Sequence, residues 1–215
     1  MEKLTPEEVR VVACLIEKEL ATPDYYPMTH NALVAACNQL SNRDPVVAYD
    51  DNTVRLALNS LRAKGLARAL HIHGARAPKY RHVLDEALGL DRPALALLCV
   101  LSLRGPQTPG ELRARSERLF GFASRSSVEE MLHSLAERGI PLARQELGPG
   151  QKEVRFVHLL GAADEEPSRL VPRAAADSPP TPRHGDDRVA ALEARVEALE
   201  GLVAELREAA GLGDD

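Results

Sequence analysis

The chain has 215 residues, a formal net charge of -5, 44% hydrophobic residues and only 3% aromatic ones. That length holds two small domains and a tail, with cores built from Leu, Val and Ala rather than from rings. No apolar run suits a membrane helix and nothing near Met1 resembles a signal peptide; three widely spaced cysteines argue against a disulfide framework. A cytoplasmic protein with buried, reduced Cys14, Cys37 and Cys99 is expected.

The charge is unevenly spread. Residues 1–84 carry 11 Lys/Arg against 9 Asp/Glu, residues 85–160 carry 10 of each, and residues 161–215 carry 6 against 13. Residues 50–84 alone hold 7 basic and 2 acidic side chains, the local basic surface expected of a nucleic-acid binder.

In chain order, Thr5-Pro6-Glu7-Glu8 opens a first helix with a capping box. Val9, Val12, Ile16 and Leu20 carry it to about Leu20 at helical spacing. Thr22 to Pro27 breaks it, and Thr29 starts helix two with Leu33, Val34 and Cys37 inward. After the polar turn Ser41–Pro45, Asp51 or Asn52 caps helix three, whose Val54, Leu58 and Leu61 face the core. Asn52, Thr53, Arg55, Asn59 and Arg62 are left toward solvent, where Arg can address guanine and Asn adenine in a major groove. An ordinary solvated helix face uses the same residues. Beyond Gly65 a hairpin is expected, with Leu66, Leu70 and Ile72 inward and a turn at Gly74–Pro78. Its Arg68, Arg76, Lys79 and Arg81, beside the outward His71 and His73, suit phosphate. They also suit a solubilising edge strand.

The pattern then repeats. S-V-E-E-M-L-H-S-L-A-E-R-G, from Ser127, follows T-V-R-L-A-L-N-S-L-R-A-K-G, from Thr53, at an interval of 74 residues. Pro106-Gln107-Thr108 likewise echoes Pro27-Met28-Thr29. Leu95, Leu98, Cys99 and Leu101–Leu103 form the second module's first helix, Thr108 caps its second, and Ser124 or Ser126 caps its third. Val128, Leu132 and Leu135 face its core, whereas Glu129 and Glu130 would be repelled by a phosphate backbone. This module is better suited to packing on the first or on a protein partner.

Residues 162–187 read as a Pro/Ala/acidic linker. Val189, Val196 and Val203 alternate with Leu192, Leu199 and Leu206 in a heptad that favours a parallel two-stranded coiled coil, hence a homodimer. The same stripe is compatible with a helix folded onto its own domain.

His71, His73 and His82 do not complete a metal site, because strand parity sets His82 apart from the other two. No phosphate loop or nucleophile motif is present, so neither an enzyme nor a cofactor is expected.

The strings I-E-K-E-L-A-T-P-D-Y-Y-P from Ile16, N-A-L-V-A-A-C-N-Q from Asn31, S-N-R-D-P from Ser41, R-G-P-Q-T-P-G-E-L-R from Arg104 and P-G-Q-K-E from Pro149 resemble the YceH family. The resemblance spans residues 4 to 160 and leaves the tail outside it. It implies bacterial cytosolic proteins of two winged-helix domains, and it implies no reaction. The expected fold is thus α+β, mainly α: tandem winged helix-turn-helix domains at 1–84 and 85–160, a linker at 161–187, and a coiled-coil helix at 188–210. The leading function is binding of double-stranded DNA as a dimeric transcriptional regulator. The alternative is a protein-interaction scaffold that reads no sequence.

Overall fold

The computed structural model describes residues 2–71, 74, 77–138 and 153–161, and the backbone of 143–146. The expectations for Ile72, His73, Arg76, the linker from Ala162 and the heptad residues Val189, Leu192, Val196, Leu199, Val203 and Leu206 lie outside the described residues.

Helix α1 runs Pro6–Ala21. Thr5 accepts from the Glu8 backbone N–H while Glu8 accepts from the Thr5 N–H, so two free donors of the first turn are satisfied. A two-residue strand β1 (Met28–Thr29) leads into α2 (His30–Cys37), capped by Thr29. Helix α3 covers Asp51–Ala63 and strands β2 and β3 cover Ala67–Leu70 and Lys79–His82. After the short α4 (Leu84–Leu88), the order returns as α5 (Arg92–Arg104), α6 (Pro109–Ser116), α7 (Arg125–Glu137), β4 (Ala143–Glu146) and β5 (Arg155–His158). The described residues are therefore mainly helical, with one three-stranded and one two-stranded sheet.

The repeat extends to strand pairing. In the first half Met28 pairs with Tyr80, in the sheet order β1-β3-β2. In the second half Gln107, the sequence counterpart of Met28, bridges Phe156, with both backbone bonds made at 3.0 and 2.8 Å. A tight match of this kind across two separated segments is hard to produce without duplication of the whole unit.

Helix α1 is buried at every position from Glu8 to Glu17, and α5 at every position from Ala94 to Leu101. Helices buried all round need neighbours on all sides. Here α1 packs on α2 and α3 on one side and on α5 on the other, while α5 reaches α6, α7 and β5. One core cluster consequently runs from Leu4 to Leu160 through both halves. The chain closes on itself as well: the Leu4 N–H donates to the Leu160 carbonyl at 2.9 Å, beside the Leu4–Gly161 bridge.

Two local expectations need correction. The cap of α3 is Asp50, not Asp51 or Asn52; its carboxylate accepts from the Thr53 N–H at 2.7 Å. Asp51 instead lies 2.8 Å from His30 Nε2, tying the starts of α2 and α3. In the hairpin, Ala67 and Ala69 sit opposite His82 and Tyr80. Leu70 therefore shares the face of Arg68, opposite Lys79, and is only half-buried. Leu66 is buried as expected, but from the turn before the strand.

Candidate nucleic-acid interface

Helix α3 separates its sides cleanly. Val54, Ala57, Leu58 and Leu61 are buried, and Asn52, Arg55, Asn59 and Arg62 are exposed, with Thr53 half-buried. The exposed side chains are held in pairs: Arg55 donates to Asn52, and Arg62 donates to Asn59 at 3.3 Å. Each pair lies three residues apart, one turn along the same face. Leu56, 56% exposed, stands among them and offers an apolar contact of the kind a thymine methyl takes. Asp50 and Asp51 also stand at the start of this helix, and the bonds from Thr53 hold the Asp50 carboxyl below its ordinary pKa. Both carboxylates oppose a phosphate backbone.

On the hairpin, Arg68 and Arg81 are direct cross-strand partners. Like charges placed opposite each other destabilise a strand pair. Glu86 of α4 relieves this by accepting Arg81 at 2.7 Å and meeting Arg68 at 3.2 Å. The Arg81 guanidinium in turn holds the Glu86 carboxyl below its ordinary pKa. Lys79 is half-buried on the same face, and His71 is exposed just beyond the strand. Lys64 does not join the basic surface: its Nζ donates to the buried Glu8 carboxylate at 2.8 Å, and its side chain is only 15% exposed. Lys64, one of the seven cations of residues 50–84, is thus withdrawn from the surface, and Glu86 is a counter-ion lying outside that window. A window ending two residues later would have contained Glu86.

His82 is buried and lies 2.7 Å from Glu19 Oε2, although not aligned as a hydrogen bond, while its backbone N–H donates to Tyr26 Oη at 2.8 Å. His71 is exposed, so these two imidazoles do not converge. Among the described residues no group of three or more His, Cys, Asp or Glu side chains is placed to hold a metal ion. No described helix is long and apolar enough to cross a membrane.

In the second half, Ser124 caps α7 and accepts from the Ser127 N–H at 3.1 Å. Glu129 is held by Arg125 at 2.9 Å, and Glu130 is exposed. A cavity of about 500 Å³ lies between α7 and β5, with Arg125, Glu129 and His133 on one wall and Phe156 on the other.

The Ser41–Pro45 turn and the ends of α1 and α5 bind the halves together. The Asp44 N–H donates to the Leu103 carbonyl at 2.8 Å, Arg104 donates to Asn42 Oδ1 at 3.3 Å, and Arg92 donates to the Leu20 carbonyl at 3.2 Å.

These features define a mainly helical α+β protein whose halves repeat one order of elements and whose first half exposes an Arg/Asn helix face. The family described as "Protein of unknown function, DUF480" matches residues 4–151, and the chain belongs to it. A UPF0502 protein of Pelobacter propionicus is 50% identical over 209 residues, covering 95% of this chain and 93% of its own length. One from Geobacter metallireducens is 53% identical over 193 residues, covering 88% and 86%. One from Koribacter versatilis is 47% identical over 200 residues, covering 91% and 90%. The 95% coverage carries the similarity well past Gly161, into the tail that lies beyond the strings resembling the YceH family.

Proposed function

We propose that this protein is a double-stranded DNA-binding protein of the YceH type, built on two winged-helix modules. In this reading α3 enters the major groove and the β2–β3 hairpin is the wing. The observation that carries it is the α3 face, where Arg55, Asn59 and Arg62 recur at helical spacing, exposed, on a helix whose other side is core. Arg55 and Arg62 take guanine edges or phosphate, Asn59 takes adenine, and Arg68, Lys79, Arg81 and Arg76 grip the backbone. Asn52 and Thr53, at the helix start, support phosphate contacts. The heptad from Val189 to Leu206 supplies the dimer of a transcriptional regulator, and the setting is cytoplasmic.

Fluorescence anisotropy with fragments of the source genome at two salt concentrations tests it. Binding falls steeply as salt rises, and Arg55→Glu abolishes it. Absence of binding at low salt overturns the reading.

A second reading, a protein-interaction scaffold, is favoured by the α7 face. Its Glu129 and Glu130 oppose nucleic acid, and the large cleft beside Phe156 is open to a polypeptide segment. Arg55→Glu leaves partner capture by such a scaffold intact, which separates the two.

A further inference from the structure

We propose that the cleft between the Ser41–Pro45 loop and the C-terminal end of α5 binds the oxyanion group of a small molecule, a phosphate or a carboxylate, through Arg104, Arg115 and Arg118. The cleft belongs to neither the α3 face nor the hairpin, and its assignment does not depend on the DNA-binding reading.

Three guanidinium groups line it, against a single lining carboxylate, Glu17. That carboxylate is already engaged. Arg43 donates to both of its oxygens, at 3.2 and 2.7 Å, and Arg118 donates to it as well. Arg115 bonds Gln107 and stands 3.6 Å from Glu111, but Glu111 also serves Arg155 at 2.8 Å. Among the described residues the Arg104 side chain donates only to the neutral Asn42, and the Asp44 carboxylate acts on it through charge alone. Burial, and then the like charges of Arg115 and Arg118, push the Arg104 pKa down. Cations thus outnumber the carboxylates that face them, in a partly desolvated recess where each unpaired charge is costly.

Shape agrees with charge. The recess has a volume of about 10 Å³, room for one water-sized group, which is the size of a terminal oxygen of a phosphate or carboxylate. Arg115 and Arg118, 34% and 45% exposed, stand where the remainder of such a ligand meets solvent. Planar guanidinium forks match these oxygens in pairs, whereas a cation is repelled and an apolar group leaves the donors unmet. At the lip Asn42 holds a left-handed backbone, φ 59°, a conformation few non-glycine residues adopt. The side-chain oxygen of Asn42 accepts from Arg104, so the first half of the chain steadies an arginine of the second.

The test uses the full chain, with inorganic phosphate and, separately, acetate replacing chloride at constant ionic strength, read by thermal unfolding and by isothermal titration calorimetry. The expected result is a saturable rise in Tm and a measurable Kd for at least one anion. Arg104→Gln combined with Arg115→Gln weakens that binding about tenfold or more, the loss of charge-assisted hydrogen bonds. Arg138→Gln, at the end of α7 and outside every site described above, keeps the wild-type response. A response to phosphate alone identifies a phosphate-group ligand, and one to acetate a carboxylate. Arg115→Gln alone, at the exposed rim, carries the test if the double variant does not fold. No saturable effect beyond chloride with either anion, or undiminished binding in the Arg115 variants, overturns the proposal.

Discussion

Glu17 and Arg43 meet 2.7 Å apart with side chains 1% and 0% exposed, one from the middle of α1 and one from the loop after α2. Arg43 also donates to the Ala36 and Asn42 carbonyls, and Arg118 reaches Glu17 from the second half of the chain. One buried carboxylate therefore fixes the α2–α3 loop and ties the two halves. Around it lie the thiols of Cys14, 3.6 Å from Arg43 Nη2, and Cys99, which donates to the Ala13 carbonyl. Breaking such a pair from one side strands a buried charge, so Glu17→Gln destabilises the fold by about 3–5 kcal/mol. Urea unfolding checks this, and a loss under about 1 kcal/mol would remove the pair from the account of stability.

The same residue sets an acid limb. Burial raises the Glu17 pKa, but the bonds and charge of Arg43, then Arg118, outweigh it and leave the carboxyl below its ordinary value. A depressed folded pKa means that the unfolded chain takes up its proton first. The stabilisation is therefore fully present above the ordinary glutamate pKa of about 4.3 and is lost as pH falls through the lower folded value. Stability measured from pH 5 downward falls less steeply in Glu17→Gln than in wild type.

His158 acts in a higher window. Burial, then the nearby Lys3, push its pKa down to about 4, and its Nδ1 has no hydrogen-bond partner among the described residues. The unfolded chain binds this proton near pH 6.5, so stability is complete above that pH and drains as pH falls toward 4, by up to about 3 kcal/mol. His158→Phe flattens the stability profile between pH 6.5 and 4, and an unchanged slope there refutes the assignment.

Glu86 is an internal counter-ion where DNA phosphate is proposed to sit. Glu86→Gln frees Arg68 and Arg81, strengthens DNA binding at low salt by about threefold to tenfold, and steepens the log–log salt dependence by up to about two contacts. Anisotropy titrations at several salt concentrations measure both. If affinity and slope stay at wild-type values, the hairpin arginines do not touch phosphate.

Gly105 ends α5 at φ 69° and ψ -155°, a region essentially closed to side chains. Its conformation turns the chain into Gln107, which then bridges Phe156. Among the described residues no atom crowds a Cβ there, so Gly105→Ala costs backbone strain, about 1–3 kcal/mol by chemical denaturation.

What could be read in the sequence was local. Thr5 and Glu8, Thr108 and Glu111, or Ser124 and Ser127 meet within one turn, so helix starts follow from three-residue spacing. The stripes Val54, Leu58, Leu61 and Val128, Leu132, Leu135 follow from the helical period, and all six are buried. The repeat was legible because both copies keep the same punctuation. The α3 cap was misread by one residue because three consecutive residues, Asp50, Asp51 and Asn52, all have capping side chains, and only the contact of Asp51 with His30 removes it from the choice. The short α4 and its Glu86 were missed because nothing in the sequence near Leu84 marks which side of a turn faces two arginines on a hairpin.

The two copies, their helices and hairpins, and the polar side of α3 are legible residue by residue, because each depends on positions a turn or a strand apart. Long-range packing is what merges α1 and α5 into one core, sets Glu17 against Arg43 and Arg118, withdraws Lys64 onto Glu8 and crowds three arginines around one recess. The bonds of Glu17 and of Lys64 join residues 26 to 101 positions apart, and the packing of the whole chain, not any local preference, determines which charges meet.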